Sequence, residues 1–178
     1  MSTTTAPLAG TYNADPVHSN FGFAVRYQGV SLFKGTLDEV SATLVDGKLE
    51  GAAKVESISI RTPEQFRAHV LSEEFFDAAN HPEITFVSSN VEVSEDGVVE
   101  LTGDLTIKGI TRPVELDVEF LGAGQDPWGG QRVGFEATTE ISRKDFGIDF
   151  NVPLDGGKVL IGDKVSIHLA VEAVLDQA

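Results

Sequence analysis

Cysteine is absent from the 178-residue chain, which removes thiol nucleophiles, disulfide frameworks, iron–sulfur clusters and cysteine-based zinc sites together. Basic residues are scarce: 13 Lys and Arg stand against 28 Asp and Glu, a formal net charge of −15. Such a surface is repelled by nucleic acid and by anionic membranes, so no nucleic-acid partner is expected. No apolar run approaches the ~20 residues of a spanning helix, and no integral membrane segment is expected. The stretch Met1–Pro7 lacks the basic and apolar regions of a signal peptide, which gives a cytoplasmic expectation. Catalytic signatures are missing as well: no G-x-S-x-G elbow, Walker A loop or H-E-x-x-H helix occurs. Gly122-Ala123-Gly124 has Pro127 where a dinucleotide loop needs its third glycine, and no helical pattern follows.

What remains is an ordinary soluble composition, 41% hydrophobic and 23% charged. A chain of this length buries roughly 70% of its unfolded surface and needs no staple. Period-2 alternation dominates. Val17, Ser19, Phe21, Phe23, Val25 and Tyr27 share one face of a strand. Asp46-Gly47 is a hairpin signal joining Thr36–Val45 to Lys48–Ile60, with further turns at Glu95-Asp96-Gly97 and Lys108-Gly109. Val98–Ile107, Val114–Leu121, Arg132–Arg143 and Val165–Leu175 alternate in the same way. One segment departs from this rhythm. Thr62-Pro63-Glu64-Gln65 reads as a capping box with Pro at the first helical position, Phe66 and Val70 then share a helical face, and Ser72 caps a second turn holding Phe75 and Phe76.

The fold expected is all-β: an antiparallel barrel of about eight strands with a short helical insertion, closed because closure hides strand edges. Residues 1–9 are expected to form a flexible segment and 10–178 a single barrel domain. Eight tilted strands leave an interior that side chains fill or that holds one small ligand. The 11 Phe against 2 Tyr and 1 Trp suit an oily lining, since Phe carries no polar handle.

The four histidines His18, His69, His81 and His168 have no ligand spacing, and no metal site is expected. Rows such as Glu115, Asp117 and Glu119 alternate with apolar residues and read as a solvated outer face. Arg61, Arg67, Arg143 and Lys144 are few enough to matter. If they meet His18 or His69 at one barrel end, they make a positive spot for a phosphate or carboxylate head. The alternative is that each pairs with a neighbour such as Asp145 or Glu64.

Four blocks carry a resemblance. They are Asp15-Pro16 with His18-Ser19 and Phe23, Phe75-Phe76-Asp77 with His81-Pro82 and Phe86, Gly103 to Leu116, and Asp126-Pro127-Trp128-Gly129-Gly130 running into Ser142-Arg143-Lys144-Asp145-Phe146-Gly147. In order and spacing the chain resembles the YceI-like family of lipocalin-like, polyisoprenoid-binding proteins, from about Gly10 to Leu175. The resemblance implies a barrel with a long apolar pore that binds or carries a long-chain isoprenoid lipid, either a polyprenyl phosphate or a quinone tail, without catalysis. It singles out His18, Phe23, His69, Trp128, Arg143, Asp145 and Phe146.

The expected pore lining is Phe21, Phe23, Val25, Phe86, Leu105, Ile107, Val118, Phe120, Phe135, Phe146 and Ile167. Phe66, Val70, Phe75 and Phe76 of the insertion are expected to plug or gate one end. His18, Arg67, His69, Trp128 and Arg143 are placed at the rim or head group. No cofactor is required beyond a bound isoprenoid lipid or quinone, and a homodimer is allowed. The competing readings are an enzyme using His18, His69 or Arg143 at the mouth, and a solid-core, stress-related interaction protein.

Overall fold

The computed structural model describes residues 10–93 and 99–177. The expected N-terminal segment 1–9 and the turn at Glu95-Asp96-Gly97 lie outside the described residues. Among the described residues the strands are β1 (Thr11–Ala14), β2 (Asn20–Tyr27), β3 (Ser31–Leu37), β4 (Val40–Val45), β5 (Lys48–Lys54), β6 (Glu83–Val93), β7 (Val99–Ile107), β8 (Ile110–Gln125), β9 (Gln131–Ser142) and β10 (Ile161–Leu175), with one α-helix, α1 (Glu64–Leu71). From β4 to β10 each strand pairs antiparallel with the next, so the sheet is a meander. One edge of β10 takes β9; the other takes β2 along its first part and β1 along its last. In turn β1 pairs with β4 and β2 with β3. Thus β1 and β2 are halves of one interrupted stave, as are β3 and β4. Counted so, eight antiparallel staves close a ring, which is the lipocalin-like barrel that the alternation requires.

Turn chemistry sets the registers. Asp46 and Gly47 both have positive φ (47° and 86°), as do Lys108 and Gly109 (52° and 75°). These are the two-residue hairpins whose twist suits right-twisted strands. They join Val45 to Lys48 and Ile107 to Ile110.

Four local expectations are corrected. Thr36–Val45 is not continuous: the stave breaks at Asp38-Glu39, where the amide of Asp38 turns to the Ser57 carbonyl while Lys54 binds the Glu39 carbonyl. The partner strand ends at Lys54 rather than Ile60, because Val55 and Ile58 sink to 1% exposure in a 3-10 turn. The strand expected from Val17 to Tyr27 is β2 and starts at Asn20, because Asp15 folds back on the Val17 amide. The capping box does not form either. Pro63 occupies the N-cap position with extended φ/ψ and has no side-chain acceptor to offer, while its carbonyl receives the Phe66 and Arg67 amides. Ser72 closes α1 through its hydroxyl on the His69 carbonyl, and its own carbonyl accepts the amides of Phe75 and Asp77, so the expected second turn holding Phe75 and Phe76 forms.

The segment 55–80 fills the wall where β3 leaves β5. Thr36 and Ser59 exchange hydrogen bonds there, and Ile58, Ile60 and Val70 pack on Phe23, Phe33, Leu37, Leu71 and Phe76. The buried apolar side chains form three separate clusters in place of one contiguous core. A cavity of about 900 Å³ lies between them.

Two phenylalanines depend on glycines across the ladder. The Phe86 ring covers Gly103 and the Phe23 ring covers Gly35, so that a Cβ at Gly103 would fall 2.4 Å from the Phe86 ring and 2.5 Å from the Val87 carbonyl. The expected outcome for Gly103→Ala is a loss of about 1–3 kcal/mol from overpacking, read as a Tm drop of roughly 2–4 °C per kcal/mol.

Candidate functional site

The inward face of every stave is apolar because alternation puts the charged partners outside. On β9, Phe135, Ala137, Thr139 and Ile141 face the cavity, and on β10 Val165, Ile167, Leu169, Val171 and Ala173 do. All fifteen side chains expected inside lie on it: Phe21, Phe23, Val25, Phe66, Val70, Phe75, Phe76, Phe86, Leu105, Ile107, Val118, Phe120, Phe135, Phe146 and Ile167. The sequence pattern alone passed over Tyr12, Phe33, Leu44, Leu116, Phe150, Leu169 and Val171. Alternation on β10 already carried the signal for Leu169 and Val171. Phe150 lies in an irregular connection with no periodicity to find it by.

The bore runs from one barrel end to the other. The helical end carries α1 and the β2–β3, β7–β8 and β9–β10 connections. The hairpin end carries the β4–β5 and β8–β9 turns. Twelve residues of β9 at ~3.3 Å each, tilted ~40°, rise roughly 30 Å along the axis. The cavity volume of about 900 Å³ then gives a mean cross-section of roughly 30 Å² over that length. That is the shape of one extended chain.

At the helical end, His69 stands edge-on to Phe75 (4.9 Å between centroids) and Phe150 (4.6 Å), with Nε2 2.6 Å from Glu74 Oε2. Arg143 also borders the cavity but is 5% exposed. Its Nε donates to the Gly162 carbonyl (2.9 Å), Nη1 to those of Ile148 (2.9 Å) and Phe150 (2.8 Å), and Nη2 to that of Ile161 (3.3 Å). Burial pushes its pKa down, opposed by Asp163 and Asp149. Its function in this fold is to gather the carbonyls of the β9–β10 connection.

The other three side chains expected at the rim do not border the cavity. His18 lies at the outer wall, bound through Nδ1 to Asp15 (2.9 Å). Arg67 turns from the cavity to the carbonyls of Ile58 (3.1 Å), Ile60 (2.9 Å) and Glu56 (2.5 Å), which the break after β5 leaves without ladder partners. Trp128 sits at the tip of the β8–β9 turn, 87% exposed. The positive spot therefore does not assemble: Arg61 pairs with Asp38 (3.1 Å), Lys144 with Asp163 (3.1 Å), and His18 and His69 occupy different ends. Of the three residues weighed for an enzyme, His18 stands outside the bore, whereas His69 and Arg143 both border it at the helical end. A solid core is excluded by the cavity itself.

Outside the wall near the hairpin end, Arg132 binds three carboxylates: Asp15 (2.9 Å), Asp126 (2.8 Å) and Glu172 (2.6 Å). Asp15, His18 and Glu172 stand close enough to share a metal ion, but the guanidinium already bridges both carboxylates. The His18 bond, then Arg132, hold Asp15 well below the ordinary 3.8. Arg132, then the Gly130 amide, lower Asp126. Asp15 raises His18 above 6.5.

A family model for the YceI-like domain matches residues 12–173. The chain belongs to the YceI-like family. It is 33% identical over 175 residues to the protein YceI of Escherichia coli O157:H7, covering 94% of this chain and 88% of the relative. A UPF0312 protein of Vibrio parahaemolyticus is 36% identical over 164 residues, with 88% and 82% covered. Among solved structures, Burkholderia cenocepacia BcnA superposes with a TM-score of 0.76 at 23% identity, covering 89% of this chain and 98% of that one. A polyisoprenoid-binding domain from Saccharophagus degradans gives 0.68 at 16%, covering 93% and 98%. Both superpositions bear out the barrel of this YceI-like chain.

Replacing Arg143 by Met leaves the gathered carbonyls unpaired in a buried setting, and chemical denaturation should register a loss of about 3 kcal/mol. The outer cluster predicts a pH signature with opposite signs. Asp15 and Asp126 contribute stability above 3.8 that is lost as pH falls through their lowered values. His18 contributes below 6.5, and this is lost as pH rises through its raised value. Thermal melts should therefore show the difference between wild type and His18→Ala shrinking on the alkaline side.

Proposed function

We propose that the barrel binds and carries a single long-chain isoprenoid lipid, without chemical turnover, and that its bound head is neutral, as in a quinone or a prenyl alcohol. The observation that supports this most is the bore: about 900 Å³, lined from one end of the barrel to the other and walled mostly by aliphatic and phenyl groups. Burial of each methylene in such a wall is worth ~0.8 kcal/mol, so length alone supplies affinity. A dry void of about 900 Å³, at ~24 cal/mol per Å³, corresponds to roughly 20 kcal/mol, above the ~5–15 kcal/mol stability of a whole domain. Water filling the bore would find few hydrogen-bond partners there. A hydrocarbon occupant resolves both difficulties.

The preference for a neutral head over a polyprenyl phosphate rests on the cations. Arg143 and Arg67 spend their donors on backbone carbonyls, and Arg61 and Lys144 on carboxylates. A pyrophosphate at either mouth would face the chain's −15 with little compensation. The Saccharophagus degradans domain of the same fold is described as polyisoprenoid-binding, which makes that class of ligand apt here.

Organic extraction of the protein purified from its native host, read by mass spectrometry, should yield a chain of isoprene units. Titration with geranylgeraniol should then saturate at one equivalent. Ala137→Trp, which fills the bore, should cut uptake by at least about tenfold, whereas Thr138→Trp, one residue along and on the outer face, should leave it unchanged. Equal uptake by both variants would remove the ligand from the bore.

A further inference from the structure

Two turns on the outer wall have the same construction. In Asp15-Pro16-Val17, Oδ1 of the aspartate accepts the amide of Val17 (2.9 Å). In Asp126-Pro127-Trp128, Oδ1 of the aspartate accepts the amide of Trp128 (3.0 Å) and also that of Gly130 (2.8 Å). In both turns the other aspartate oxygen goes to Arg132, through Nη1 to Asp15 (2.9 Å) and through Nε to Asp126 (2.8 Å). Glu172 on β10 fixes the same guanidinium to the wall. Two segments 111 residues apart are thus hung from one side chain. Proline and an aspartate–amide bond stiffen each of them before any contact is made.

These stiff turns present apolar side chains to water. Val17 is 82% exposed and Trp128 87%, in a chain that has no other tryptophan. Both lie toward the hairpin end. There the β8–β9 hairpin reaches past the first described residue of β7: Val99 pairs with Val118, and Glu119–Gln125 extend beyond it, exposed on both faces. Running back from the tip, Ala123 and Leu121 are exposed. Phe120 stacks on Phe135 at 5.6 Å and lines the bore. Apolar groups therefore lead from the tip of the hairpin into the cavity.

We propose that Val17 and Trp128 form a contact surface for a zwitterionic lipid bilayer, seating the hairpin end on the membrane that supplies the bore with hydrocarbon. Indole is suited to the boundary between headgroups and chains, where its ring is buried and its N–H stays hydrated. The charges choose the bilayer type. Asp15, Asp126 and Glu172 around one arginine, on a chain of −15, oppose an anionic surface and tolerate a neutral one. The cargo half of the proposal rests on the isoprenoid-carrier reading above, whereas the contact half stands on the turns.

The single tryptophan is its own reporter. With phosphatidylcholine vesicles, Trp128 emission should move to shorter wavelength and be quenched by lipids brominated along their chains. Vesicles rich in phosphatidylglycerol should give a smaller shift, recovered by salt. In flotation, Trp128→Ser should lower the vesicle-bound fraction about tenfold, as expected if roughly 60 Å² of indole leaves water at ~25 cal/mol per Å². Val17→Ser should lower it by less. Both positions are exposed, and unchanged melting curves would establish that the variants are folded. Unshifted Trp128 emission, or vesicle binding indifferent to both substitutions, overturns the proposal. Geranylgeraniol offered in detergent and in vesicles separates the two readings. Uptake from both with unshifted emission refutes the membrane contact alone, and a shift without uptake from either keeps the contact and refutes the cargo.

Discussion

The fold turns on the ability of a ring of backbone hydrogen bonds to hold apolar walls apart. Apolar side chains facing one another across a lumen attract, and most protein interiors answer by closing to crystal-like density. Here β10 bonds to β9 on one edge and to β2 and β1 on the other, so closure of the ring sets the girth within which side chains pack. Collapse would require breaking ladder bonds whose groups would then be buried unpaired. Strand number and register therefore set the girth of the barrel, and the volume of the residues inside sets how much of it stays open.

From that constraint follows a division of the polar groups. With the interior given to hydrocarbon, charge is pushed to the wall's outer face and to the ends, where it organises backbone. Arg143 and Arg67 meet carbonyls that irregular connections leave outside any ladder. Arg132 performs the corresponding task with carboxylates, joining the break between β1 and β2 to the β8–β9 turn and to β10. Three of the thirteen basic side chains thus serve as fasteners of backbone and carboxylates.

Alternation made the wall legible. Because side chains on a strand have period 2, knowing that Phe21, Phe23 and Val25 share a face, or Phe135 and Ile141, amounts to knowing what lines the lumen. Asp46-Gly47 and Lys108-Gly109 fixed two hairpins through positive φ alone. Where backbone leaves the ladder, sequence pattern had no purchase. The capping box at Thr62–Gln65 was satisfied as a string, yet Pro63 took the position that a hydroxyl was meant to fill. The five rim residues divide along the same line. His69 and Arg143 stay beside the lumen, while His18, Arg67 and Trp128 are drawn to partners or positions, an aspartate, carbonyls and a turn tip, that no spacing encodes.

The interruption between β3 and β4 has one more effect. Over that sector the enclosure is made by Phe66, Val70 and Phe76, carried on α1 and the turn after it, instead of by ladder-bonded staves. Elsewhere the calibre is quantised, since changing it means adding a strand or slipping a register. On this flank it is continuously adjustable: trading one phenyl for a smaller group locally enlarges the tube without disturbing any strand pairing. The width of the bore can then vary separately from barrel architecture.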